Sequence, residues 1–158
     1  MGFYTADLCD NFPDKVEVLE ESMISYGGLN KCAGVIETVT LKENNFELAK
    51  LLQTPGHGRI VVVNVDGAYV AVVGERMMKF AHSNGWVGII VNGYVRDTHI
   101  TKDVKTGLWA LGTCPKKNAV EVPGFVGHDV TFGGVTFKSG AYVYADLDGI
   151  IVSNESLK

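Results

Sequence analysis

Arg96 and Asp97 stand side by side just after the apolar run Val87-Gly88-Ile89-Ile90-Val91 and Gly93. An ionised carboxylate is a hard oxygen donor that suits Mg²⁺ or Mn²⁺, directly or through water. A guanidinium beside it offers the planar fork that grips a carboxylate or an enolate through two parallel hydrogen bonds. Upstream, Gly74-Glu75-Arg76-Met77 opens a helix. The first amides of a helix lack internal partners and carry the positive end of its dipole. In a strand–helix–strand unit the helix starts at the sheet edge where the next parallel strand ends. Amides, guanidinium and carboxylate should therefore meet in one crevice, fit for a small carboxylate ligand and a hard divalent cation.

Each of these features also has a plainer reading. Arg96 and Asp97 alone are equally a surface ion pair or a brace for their own loop. Gly74 can serve only to admit a tight turn into the helix, or it can leave room for an anion to approach the free amides. Glu75 either holds a metal-bound water or simply complements the helix dipole. His99, two residues past Asp97, is a proton carrier or a solvated loop residue, and His57 lies between Gly56 and Gly58 in a turn. Asp146 and Asp148 read as a cation site or as an Asp-Gly turn. Met77 and Met78, beside Phe80 and Ala81, fill core. The chain contains no serine elbow, P-loop or G-x-G-x-x-G motif.

The elements that must hold the crevice follow from periodicity and turn residues. Thr5 caps a short N-terminal helix. A strand spans 33–40, and Asn44 or Asn45 caps a helix running through Leu52 to Pro55-Gly56. Ile60-Val61-Val62-Val63 is the unbroken apolar run of a strand buried on both faces. Asp66-Gly67 marks a turn, 69–73 is a strand, and a helix over 74–84 closes at Gly85. Strands at 87–91 and 109–112 follow. Beyond Asp129, short strands separated by Gly turns describe a second, curled sheet over the first. The fold class is α/β, a mixed domain of layered sheets with helices on one side.

Length and composition fit one domain over residues 1–158, large enough to bury a core. Nineteen glycines imply many tight turns. A net charge of −4 with scattered basic residues argues against direct nucleic-acid binding. Cys9, Cys32 and Cys114 form no C-x-x-C pair, so neither a zinc knuckle nor a disulfide framework is indicated. No apolar run nears the ~20 residues that span a bilayer, and the N-terminus lacks the pattern of a signal peptide. A reducing cytoplasm is the expected address.

Several pieces, in this order and spacing, resemble the RraA-like proteins: the regulator of ribonuclease E activity A and the class II 4-hydroxy-4-methyl-2-oxoglutarate aldolases. They are Leu8-Cys9-Asp10, Tyr26-Gly27-Gly28, Gly85-Trp86-x-Gly88, Gly93-x-Val95-Arg96-Asp97, Phe132 to Phe137 and Tyr144-Ala145-Asp146 with Gly149-Ile150-Ile151. The resemblance implies a three-layer β/β/α swivelling-type fold assembled as a homotrimer, with sites between subunits. It implies cleavage of the hydroxy-keto diacid to pyruvate and decarboxylation of oxaloacetate. It assigns the metal to Asp97, substrate contact to Arg96, and the pyruvoyl end to the backbone of Gly74, Glu75, Arg76 and Met77. Ile100 stands where the aldolases carry an acid, and Asp103 is out of register with it.

Two functions of different class follow. One is a metal-dependent carbon–carbon lyase acting on a small 2-oxo acid through a pyruvate enolate. The other is a protein inhibitor of ribonuclease E, with an acidic surface meeting the basic RNA-binding segments of that enzyme.

Overall fold

The computed structural model describes residues 2–157. In chain order, the first elements are α1 (Thr5–Asn11), β1 (Glu17–Val18), β2 (Ile24–Ser25), β3 (Cys32–Thr40) and α2 (Phe46–Leu52). Next come β4 (Ile60–Asn64), β5 (Ala71–Val73), α3 (Glu75–Ser83), β6 (Gly88–Val95), α4 (Thr98–Thr101) and β7 (Gly107–Thr113). The chain ends with β8 (Phe125–Val126), β9 (Val130–Phe132), β10 (Val135–Phe137), β11 (Tyr142–Ala145) and β12 (Ile150–Ser153).

The centre is a parallel sheet in the order β3-β4-β6-β7, with Ile36 opposite Ile60, Ile60 opposite Gly88 and Gly88 opposite Gly107. Where β4 stops, β5 takes its place beside the end of β6, pairing Val73 with Val95. Asn64 and Asn92 are hydrogen-bonded to each other at that junction (2.9 Å). Gly93 is required there, because a Cβ would lie 2.5 Å from the Val65 side chain.

Both faces of this sheet are covered, which is why β4 is apolar throughout. Val61, Val63, Ile89 and Val91 face Leu48 and Leu52 of α2 and Met77, Met78 and Ala81 of α3. Ile60, Val62, Ile90 and Trp109 face the opposite way, onto Phe132, Phe137, Val143, Ile150 and Val152. Those residues belong to the β9–β10 hairpin and the antiparallel β11–β12 pair. β3 ties the layers together, pairing with β11 through its first half and with β4 through its second. Each fully buried Leu, Ile or Met contributes ~1.5–3 kcal/mol to this packing. The expected β/β/α layering is present.

One helix departs from the expected side. α1 packs on the outer face of the antiparallel layer, where Leu8 meets Tyr144, Ile151 and Leu157. Nor is Thr5 its cap: Tyr4 occupies that position, and Thr5 is the first helical residue. The Thr5 amide and hydroxyl both donate to the Asp146 carboxylate, at 2.7 Å each. Asp146 thereby supplies the capping acceptor from 141 positions away. It also accepts from the Asp148 amide (2.9 Å), which closes the Asp-Gly turn anticipated from the sequence. Among the described residues no helix is long and apolar enough to cross a membrane.

Candidate functional site

β5, α3 and β6 form the strand–helix–strand unit anticipated from the sequence. β6 runs on to Val95, beyond the apolar run that marked it, so Arg96 follows the strand directly. The Arg96 amide donates to the Val73 carbonyl (2.9 Å), one residue before Gly74. The start of α3 and the end of β6 therefore share one edge of the sheet.

Asp97 then adopts a left-handed backbone (φ 62, ψ 34). Asp is among the few residues that tolerate this region, at a cost of ~1–3 kcal/mol. The turn swings its carboxylate back over α3, where Oδ2 accepts the Glu75 amide at 3.0 Å. A Cβ on Gly74 would lie 2.6 Å from that Oδ2. The Gly74 backbone is extended (φ −146, ψ −152), so glycine is needed for space, not for conformation. The helix start thus takes the protein's own carboxylate on one amide. The amides of Arg76 and Met77 precede the first helical hydrogen bond, from Met78 to the Gly74 carbonyl, and remain for a ligand.

Arg96 donates one Nη1–H to the Pro115 carbonyl (3.2 Å), which fixes the guanidinium and leaves its other donors free. It makes no ion pair with Asp97. Glu75 is committed to Lys79 one turn on, and the Arg76 guanidinium lies 5.4 Å from the Phe80 ring centre. Together these residues line a cavity of about 50 Å³, with Asn45 and Lys117 completing the wall.

A divalent cation fits this donor set in one specific way. Asp97 Oδ1 has no protein partner, and among the described residues no group of three His, Cys, Asp or Glu converges. Mg²⁺ is commonly held by one or two carboxylates, with water and ligand oxygens filling the octahedron. Asp97 can anchor such an ion, and Ile100, half-buried on α4, adds no oxygen.

The six residues assigned to the crevice from the sequence, Gly74, Glu75, Arg76, Met77, Arg96 and Asp97, line this one cavity. His99 is exposed on α4, while His57 sits in a left-handed turn (φ 55) against a different cavity. Burial pushes the Cys32 thiol up to about 12, so it stays protonated and does not act as a nucleophile. Sequence reasoning missed Asn45 and Lys117. Asn45 arrives through the β3–α2 connection, at the same carboxyl edge of the sheet. Lys117 arrives on the irregular segment after β7, which carries no periodic signal.

The larger cavity, about 970 Å³, lies beside α1 at the opposite end of the sheet. Aromatic and aliphatic side chains such as Phe3, Tyr4, Leu8, Phe12 and Tyr144 line it. Among the described residues no lysine or arginine lines it, whereas the smaller cavity gathers Arg76, Arg96, Asp97 and Lys117.

Fold and site together define a mixed α/β protein with Arg96, Asp97 and the start of α3 gathered at the carboxyl edge of a parallel sheet. The family model "RraA-like: Aldolase/RraA" matches residues 5–152, and the chain belongs to that family. A protein of Hahella chejuensis named "Putative 4-hydroxy-4-methyl-2-oxoglutarate aldolase" is 41% identical, over 99% of this chain and 96% of its own. A protein of Ectopseudomonas mendocina with the same name is 39% identical, over 99% and 98%. Among solved structures, one from Geobacillus kaustophilus is described as an S-adenosylmethionine:2-dimethylmenaquinone methyltransferase. It superposes with a TM-score of 0.95 at 40% identity, covering 98% of this chain and 97% of its own. The RNA-processing inhibitor RraA from Thermus superposes at 0.94 with 34% identity, covering 100% and 96%.

Proposed function

We propose that the protein is a carbon–carbon lyase that cleaves 4-hydroxy-4-methyl-2-oxoglutarate to pyruvate and also decarboxylates oxaloacetate. One observation carries this reading: Arg96, Asp97 and the free amides at the start of α3 line a single small cavity. The aldolase names of relatives about 40% identical agree with it.

The two reactions share one electronic demand. In each, the bond to C3 of a 2-oxo acid breaks and its electron pair flows into the carbonyl, leaving the enolate of pyruvate. Arg96 presents preorganised donors where that negative charge grows. The Arg76 and Met77 amides orient the carboxylate of the pyruvoyl end. Asp97 would hold Mg²⁺ or Mn²⁺, which when bound polarises the carbonyl as a Lewis acid. In aldol cleavage the proton of the C4 hydroxyl passes to solvent at the open mouth, as no histidine lines the cavity.

A homotrimer fits the distribution of apolar surface. Val120, Val122, Phe125 and Val126 are exposed on the segment following β7 and on β8. The apolar cavity beside α1 lies at the other end of the sheet. Two unlike apolar surfaces at opposite ends suit a head-to-tail ring. Three free cysteines suit a reducing cytoplasm.

Ribonuclease E inhibition is the second reading, favoured by the close superposition on an RNA-processing inhibitor. The deciding experiment supplies 4-hydroxy-4-methyl-2-oxoglutarate with Mg²⁺ and measures pyruvate. Release above the metal-only rate is expected, and chelation should abolish it. Inhibition of ribonuclease E by a protein that releases no pyruvate would replace this reading with the second.

A further inference from the structure

We infer that Lys117 selects dicarboxylates at this site by binding the carboxylate remote from the 2-oxo group. The inference rests on the lyase reading above and deepens it, since none of the residues identified from the sequence was assigned to a second carboxylate.

Three observations lead to it. First, Lys117 lines the cavity of Arg96 and Asp97 and has no ion pair among the described residues. Second, the backbone leading to it is pinned at the site although it is irregular. The Pro115 carbonyl accepts from Arg96 (3.2 Å), and the Lys116 carbonyl accepts from the Ala71 amide (2.8 Å). Further on, the Gly124 amide donates to Glu47 Oε1 (3.2 Å). The segment is therefore a strap tied at both ends across the carboxyl edge of the sheet, and Lys117 follows directly on its tightest ties. Third, the charges of the wall do not balance for a monoanion. Asp97 answers the Glu75 amide, Glu75 is paired with Lys79, and Arg96 with the α3 amides takes the carboxylate and oxygen of the 2-oxo end. Two further cations of the lining have no ion pair among the described residues: Arg76, whose guanidinium rests on the Phe80 ring, and Lys117, which no side chain holds. A flexible ammonium is a point charge with three rotatable donors. It can follow a remote carboxylate in diacids of somewhat different length, which a planar guanidinium cannot do as freely.

The test compares a monoacid with a diacid on wild-type protein, Lys117→Met and Lys117→Arg. Binding of pyruvate and of 2-oxoglutarate is measured by calorimetry in Mg²⁺, and KM and kcat are measured for oxaloacetate. Lys117→Met should weaken 2-oxoglutarate about five- to tenfold, the range for one partly solvated charge-assisted contact. It should raise the oxaloacetate KM by a similar factor with kcat little changed. Pyruvate binding should stay within about twofold, and Lys117→Arg should restore most of the diacid affinity. Lys117 is exposed, so the variants should melt with the wild type. Equal losses for both acids, or no loss for either, would overturn the role of Lys117 alone. Wild-type protein that binds neither acid would overturn it together with the lyase reading.

Discussion

The space over Gly74 is shared between a helix start and the Asp97 carboxylate, and a single methyl group tests it. In Gly74→Ala the new Cβ would sit 2.6 Å from Asp97 Oδ2, so the carboxylate must swing away from the Glu75 amide. Because the Gly74 backbone is extended, alanine brings no backbone strain, and melting should change little. Turnover should drop ~10²-fold, the scale expected when a reacting group is displaced by about an ångström. A fully active Gly74→Ala protein would show that Asp97 need not sit where it does. At this scale the sequence was informative about partners in the crevice but not about their state. It placed Arg96, Asp97 and Gly74 together. It did not show that Asp97 would take an amide that an external anion was expected to use, because that depends on a single left-handed residue.

At the scale of elements, α1 is held to the antiparallel layer chiefly through Asp146. Partial burial of that carboxyl pushes its pKa up, but hydrogen bonds from the Thr5 amide and hydroxyl and the Asp148 and Gly149 amides outweigh it. The net effect holds the group below its ordinary value. A depressed folded pKa means that the stabilisation is present above the unfolded carboxylate range, ~4, and is lost as pH falls through the folded value. Asp146→Asn should therefore destabilise the protein by ~1–3 kcal/mol near neutrality. Melting curves recorded from pH 7 down to 2 should show the two proteins converging below pH ~4. A gap that stays constant across that range would contradict the assignment. Contacts of this kind escape sequence reading because 141 positions separate the partners. The same limit hid β1, β2 and β8, two-residue strands that exist only as additions to neighbours. The β4 run and the α3 pattern were legible because burial on both faces, or on one stripe, writes itself into consecutive residues.

Over the whole molecule, the layered architecture follows from one parallel sheet that needs cover on both sides, and the site follows from its carboxyl edge. The exposed apolar residues Val120, Val122, Phe125 and Val126 call for cover as well. Sedimentation equilibrium at micromolar concentration should give three times the 17.1 kDa of one chain, and Val122→Asp with Phe125→Asp should give monomers. A wild-type monomer would contradict the ring. The central proposal is a carbon–carbon lyase reaction at Arg96 and Asp97. Its sharpest measurement is oxaloacetate decarboxylation with Mn²⁺, recorded beside the melting curve on the same preparations of wild type and Arg96→Lys. Lysine keeps the charge but loses the fork. Wild-type turnover should exceed the metal-only rate, and the variant should lose ~10²-fold with its melting temperature unchanged. A variant that melts earlier yet turns over at the wild-type rate per folded molecule would contradict the proposal, leaving Arg96 as a brace for the Pro115 strap.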